Sequence, residues 1–170
     1  DLIALACSLA VDASTGKAGP SYDALSRALD QDFPASSDQK LWVLTRLAEI
    51  AQRLGLAEAA DQRFRQALQL NIEDAYLLAA YADFLLDQGR AKEVVSLLSD
   101  KVRNDVLLVR LALAEKAMGH PAAREHEATI QARIEAARLR QDRLHLGDEA
   151  RFALYFLNRP DEALKLAQAN

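Results

Sequence analysis

Glycine and proline are scarce in this chain, 6 and 4 in 170 residues, so few positions can break a helix or force a turn. A single cysteine, Cys7, excludes an internal disulfide framework. The three histidines, His120, His126 and His145, show no i, i+4 spacing, and no HExxH or CxxC occurs. Neither a helical zinc site nor a redox pair is therefore expected, and each histidine is read as solvated. No GxSxG or P-loop pattern is present, which leaves no signal for a serine hydrolase or a phosphate cradle. The longest apolar run, near residues 2–11, is interrupted by Ser8 and is too short to cross a bilayer. No basic stretch precedes it, so it reads as a helix of the fold rather than a lipoprotein-type leader ending at Cys7. Cys7 is then expected to be a small core residue. With no initiator Met, the chain is expected to be a fragment or a processed form.

What is present points one way. Hydrophobic residues make up 51% and charged residues 27%, enough to bury a core and to rule out bulk disorder. Alanine and leucine dominate, and with so few breakers they argue for an all-α protein. Net charge is −4: residues 1–74 hold 7 basic and 11 acidic groups, residues 75–170 hold 14 of each. Neither part is basic enough for a nucleic-acid surface. The run "RIEAARLRQDRLH" (133–145) carries Arg133, Arg138, Arg140 and Arg143 but is broken by Glu135 and Asp142. It has no aromatic for base stacking, so a solvated helix face with local ion pairs is expected there.

The organisation is repetitive. Gly55 and Gly89 stand 34 residues apart, and the columns around them align as Leu44/Leu78/Leu108, Leu47/Tyr81/Leu111, Ala48/Ala82/Ala112 and Gly55/Gly89/Gly119. Large residues at i and i+3 with a small one at i+4 make a helical stripe with a notch for a second helix. The glycine suits a left-handed terminator. Second helices are expected over 57–70, 91–102 and 122–144, the last a long helix of about 35 Å at 1.5 Å per residue. Its stripe is Ala123, Ile130, Ile134, Ala137 and Leu144. Each pair has two apolar faces and must stack on neighbours.

These residues resemble the tetratricopeptide repeat, most closely in "AEAADQRFRQALQLN" (57–71) with Ala60, Phe64 and Ala67, and the wording of 41–90 and 145–170 is similar to uncharacterised bacterial members. The resemblance implies one domain over 1–170: a degenerate repeat at 1–40 with a turn lengthened around "STGKAGP", repeats at 41–74 and 75–104, a third at 105–144, and a partial fourth at 145–170 with Asn158 where glycine is usual. Ile72 departs from the family's proline. The implied fold is a right-handed α-α superhelix of stacked antiparallel helix pairs, with first helices lining a concave face.

On that face the resemblance places Trp42, Thr45, Glu49 and Gln52, then Tyr76, Ala79, Asp83 and Leu86, then Val106, Val109, Leu113 and Lys116. Trp42 and Tyr76 share a column and suit aromatic anchors. The columns that hold Lys and Asn in the family's carboxylate clamp are here acidic or apolar. A hydrophobic segment with a basic residue is therefore the expected partner. The expected activity is a non-catalytic protein–protein scaffold with no cofactor and no metal. The alternatives are a structural stretch of a longer solenoid and a hydrolase built on Asp83, Asp87 and Glu49.

Overall fold

The structure, a computed structural model, describes residues 2–31, 35–142 and 146–170. Among these residues there are ten helices and no strand, so the chain is all-α. The helices are α1 (Leu2–Ser14), α2 (Ala18–Asp30), α3 (Ser37–Arg53), α4 (Ala57–Leu68), α5 (Ala75–Asp87), α6 (Ala91–Leu98), α7 (Asp105–Met118), α8 (Ala123–Leu139), α9 (Leu146–Tyr155) and α10 (Pro160–Gln168).

Tight turns close α1, α3, α5 and α7 in one way. Gly16, Gly55, Gly89 and Gly119 all have positive φ, from 65° to 98°. The following amide then reaches back five residues: Lys17 to the Asp12 carbonyl, Leu56 to Ala51, Arg90 to Leu85 and His120 to Glu115. This bond satisfies a carbonyl that the helix end would otherwise leave bare. Asn158 adopts φ 54° at the position where glycine was expected. The starts are equally local. Ser36 and Gln39 form a reciprocal capping box on α3, Asp74 Oδ1 accepts from the Leu77 amide at α5, and Asn104 Oδ1 accepts from the Leu107 amide at α7.

Several boundaries differ from expectation. The first turn is short, Thr15–Lys17, because Ala18, Gly19 and Pro20 already belong to α2. Proline is tolerated there since first-turn amides have no helical acceptor. α4 stops at Leu68 rather than residue 70, and α6 at Leu98 rather than 102. The Lys101 amide turns back to the Leu98 carbonyl, and Asn104 then starts the next helix. α8 covers 17 residues, about 26 Å at the usual rise. It ends at Leu139 because Gln141 takes φ 58° and the Asp142 amide returns to the Ala137 carbonyl. Leu144 and His145 lie outside the described residues.

Two compact units divide the chain, 1–84 and 85–170, and the dividing line falls inside α5. In unit 1, α3 packs on α1, α2 and α4. Leu2, Ala6, Leu25, Val43, Leu47 and Ile50 form its first core cluster. A second is aromatic: Phe64 of α4 lies 5.1 Å from Tyr81 and 5.6 Å from Phe84 by ring centroids. Cys7 is exposed, not a core residue, because Leu2, Ala6 and Ala13 take the buried side of α1. In unit 2, α7 packs on α6, α8 and α9, and α9 on α10. Its core includes Val94, Leu98, Leu108, Leu111, Ile130 and Phe152.

Candidate functional site

α3 buries most of its circumference: Leu41, Leu44, Thr45, Ala48 and Ala51 on one side, Val43, Leu47 and Ile50 on another. Beyond the first turn, what stays at least partly open is Trp42, Arg46, Glu49 and Arg53, at i, i+4, i+7 and i+11, with Gln52 half-buried beside them. Thr45, expected on the open face, is 1% exposed and donates its Oγ1 hydrogen to the Leu41 carbonyl at 2.8 Å. α5 shows the same displacement. Ala79 is buried; Tyr76 and Asp87 are exposed, and Ala80 and Asp83 are half-buried. Leu86 is half-buried. Of the faces expected on α3 and α5, only Thr45 and Ala79 turn fully inward; α3 is packed by α1, α2 and α4, so Thr45 faces a neighbour.

Trp42 and Tyr76 do come together. The Arg46 guanidinium lies 5.2 Å from the Trp42 ring centroid and 4.6 Å from that of Tyr76. Arg46 Nη1 donates to Glu49 Oε2 at 2.8 Å, and the Tyr76 hydroxyl donates to Glu49 Oε1 at 2.5 Å. Four side chains thus fix one another: the carboxylate holds the guanidinium, and the guanidinium spaces the two rings. Burial, and then the hydrogen bond to Glu49, push the Tyr76 phenol above its ordinary value. Tyr76 nonetheless keeps 48% of its surface exposed, while Trp42 is half-buried against the core of unit 1. The pair offers a rigid aromatic platform rather than an acidic slot. Glu49, expected to attract a basic ligand or to join Asp83 and Asp87 in catalysis, is committed on both oxygens.

The remaining expected residues belong to unit 2. Val109 is buried, with Leu113 and Val106 half-buried and Lys116 exposed. Val109 is inward because α8 and α9 both pack on α7; it lines an internal cleft with Ile130, Ile134 and Ala137. Lys116 donates its ammonium to the Tyr155 carbonyl at 2.7 Å and lies 4.8 Å from the Phe156 ring centroid.

Unit 2 also holds polar groups that the sequence pattern did not single out. Arg110 is buried and bridges the Val106 carbonyl and Asp148. Glu115, 4% exposed, lies 2.7 Å from His126 Nδ1, so His126 is not the solvated histidine expected. Two arginines of the 133–145 run, Arg133 and Arg138, pair across helices rather than locally, and Arg143 lies outside the described residues. Arg133 bonds Asp105 and the Val102 carbonyl, and Arg138 bonds Glu149 and Glu162. Glu115 shares its column with Ala51 and Leu85, and an acid in an apolar column was the one signal the sequence offered; Arg110, in the column of Arg46 and Ala80, had none.

No group of three or more His, Cys, Asp or Glu placed to hold a metal ion occurs among the described residues. No helix there is long and apolar enough to cross a membrane. Comparison with protein-family models, curated proteins and solved structures finds no match for this chain.

Proposed function

We propose that this chain is a non-catalytic interaction scaffold, a tetratricopeptide-like stack of helix pairs that docks a partner protein or peptide on the first helices of its repeats. The observation that carries the reading is the Trp42–Arg46–Tyr76 sandwich. It joins two successive first helices, α3 and α5, into one partly exposed surface braced by Glu49. The recurrent left-handed turns at Gly55, Gly89 and Gly119 support the repeat reading. Aromatic side chains already held in place bind at low entropic cost, since little rotamer freedom remains to be lost. The partner segment places apolar side chains on Tyr76 and the exposed edge of Trp42.

Pull-down from a native extract with wild-type protein and with Trp42→Ala and Tyr76→Ala variants tests this. The expected result is a partner recovered by wild type and lost from both variants, with unchanged helical circular dichroism. Equal recovery by all three would remove the platform from consideration.

A further inference from the structure

α1 and α3 lie against each other in unit 1, and between them opens a cleft of about 300 Å³. Its walls are Ala10, Val11 and Ser14 on one side and Ile50, with its charged neighbours, on the other. Ile50 is fully buried at this contact, but Val11 keeps 66% of its surface in water. The cleft is therefore apolar along one edge and polar along the other.

Its charge is unbalanced. Glu49 is consumed by Arg46 and Tyr76. Arg46 Nε is buried and has no hydrogen-bond partner among the described residues. Arg53, two turns further along α3, donates Nη1 to the Ser14 hydroxyl at 2.9 Å. No carboxylate among the described residues lies within ion-pair distance of it. Arg53 is exposed beside an apolar wall, so its remaining guanidinium donors are open to an external anion.

The same ridge leads to the aromatic platform. From Trp42 to Arg53 is about 16 Å along the helix, the length of about five extended residues. The geometry points to an acidic, apolar-flanked peptide segment as the partner: one apolar residue on Trp42 and Tyr76 and, about five residues along, a Glu or Asp against Arg53 with its aliphatic neighbour on Val11. This rests on the platform reading and adds the sign of the ligand's charge. A basic segment would instead meet Arg53 with no acid free beside it.

Three end-blocked synthetic peptides test it, each with a Phe about five positions before a variable residue, followed by Val. The variable residue is Glu, Gln or Lys. Fluorescence anisotropy of the labelled peptides gives affinity. A polarity-sensitive dye on Cys7, exposed on the Val11 and Ser14 side of α1, reports occupation of the cleft. The Glu peptide is expected to bind about tenfold more tightly than its Gln twin at low salt, a preference that shrinks as salt rises. Arg53→Gln removes the preference, Arg53→Lys keeps most of it, and Tyr76→Ala weakens both peptides alike.

Equal affinity for the Glu and Gln peptides, with both lost in Tyr76→Ala, overturns the Arg53 inference and leaves the platform standing. A Glu preference retained in Arg53→Gln does the same. Preference for the Lys peptide overturns it in favour of a basic partner. Failure of all three peptides to bind folded wild type overturns platform and inference together.

Discussion

At the scale of the residue, Glu49 determines what unit 1 can offer a ligand. Its two oxygens are shared between a guanidinium and a phenol, so it acts as a brace and not as a surface acid. The arrangement is measurable through Tyr76, whose phenol is raised first by burial and then by Glu49. A raised phenol pKa means that the fold favours the protonated form. Its contribution to stability is complete below about pH 10 and is lost as pH rises through the folded value. The Tyr76 component of the alkaline absorbance change, isolated as wild type minus Tyr76→Phe, should therefore ionise above the ordinary phenol range. Glu49→Gln should move that component down, because it removes the Glu49 charge, whose contribution is a raising one.

At the scale of the element, the closing turn is the recurring device. Gly89 sits at φ 69°, and an added Cβ there would meet nothing within 4 Å. Gly89→Ala therefore carries a conformational cost alone, about 1–2 kcal/mol, read as a lower urea midpoint with unchanged slope. Asn158 already bears a side chain in the same backbone region, so Asn158→Gly should raise the midpoint slightly.

The three helices α8, α9 and α10 are joined by Arg138, which bonds Glu149 and Glu162. The hydrogen bond from Arg138, followed by that from Arg159, holds the Glu162 carboxyl below the usual carboxylate range. A depressed carboxylate contributes stability above its unfolded pKa and loses it as pH falls through the folded value. Arg138→Gln should accordingly flatten the loss of stability on acidification below about pH 4.5, followed by urea midpoints across that range. The pair is exposed, so the effect should also weaken with salt.

At the scale of the whole molecule, each compact unit carries a core of its own, and the two can be followed by different probes. Trp42 is the single tryptophan and lies in unit 1, so its emission reports that unit, whereas far-ultraviolet circular dichroism reports helices of both. Phe64 is fully buried between α4 and α5 against Tyr81 and Phe84. Phe64→Ala should lower the stability read by Trp42 emission by about 3–5 kcal/mol, the usual cost of emptying an aromatic core position. An emission transition left in place would mean that this cluster does not hold unit 1 together.

Helix content and the ends of α3, α5 and α7 were legible in the sequence because they depend on neighbours in the chain. Gly55, Gly89 and Gly119 can take the left-handed conformation with little strain, and residues a few positions apart close each helix. The apolar columns were legible for the same reason, since side chains three and four apart share a face whatever surrounds them. The open faces were not. How much of α3 stays open depends on how many other helices pack on it; α1, α2 and α4 do, and Thr45 is turned inward, while on α5 Ala79 is buried as well. The polar partners were hidden too: Glu49 with Tyr76, Glu115 with His126 and Arg133 with Asp105 are 27, 11 and 28 residues apart. Only tertiary packing brings such groups within hydrogen-bond distance, because no periodicity along one helix relates residues on different helices.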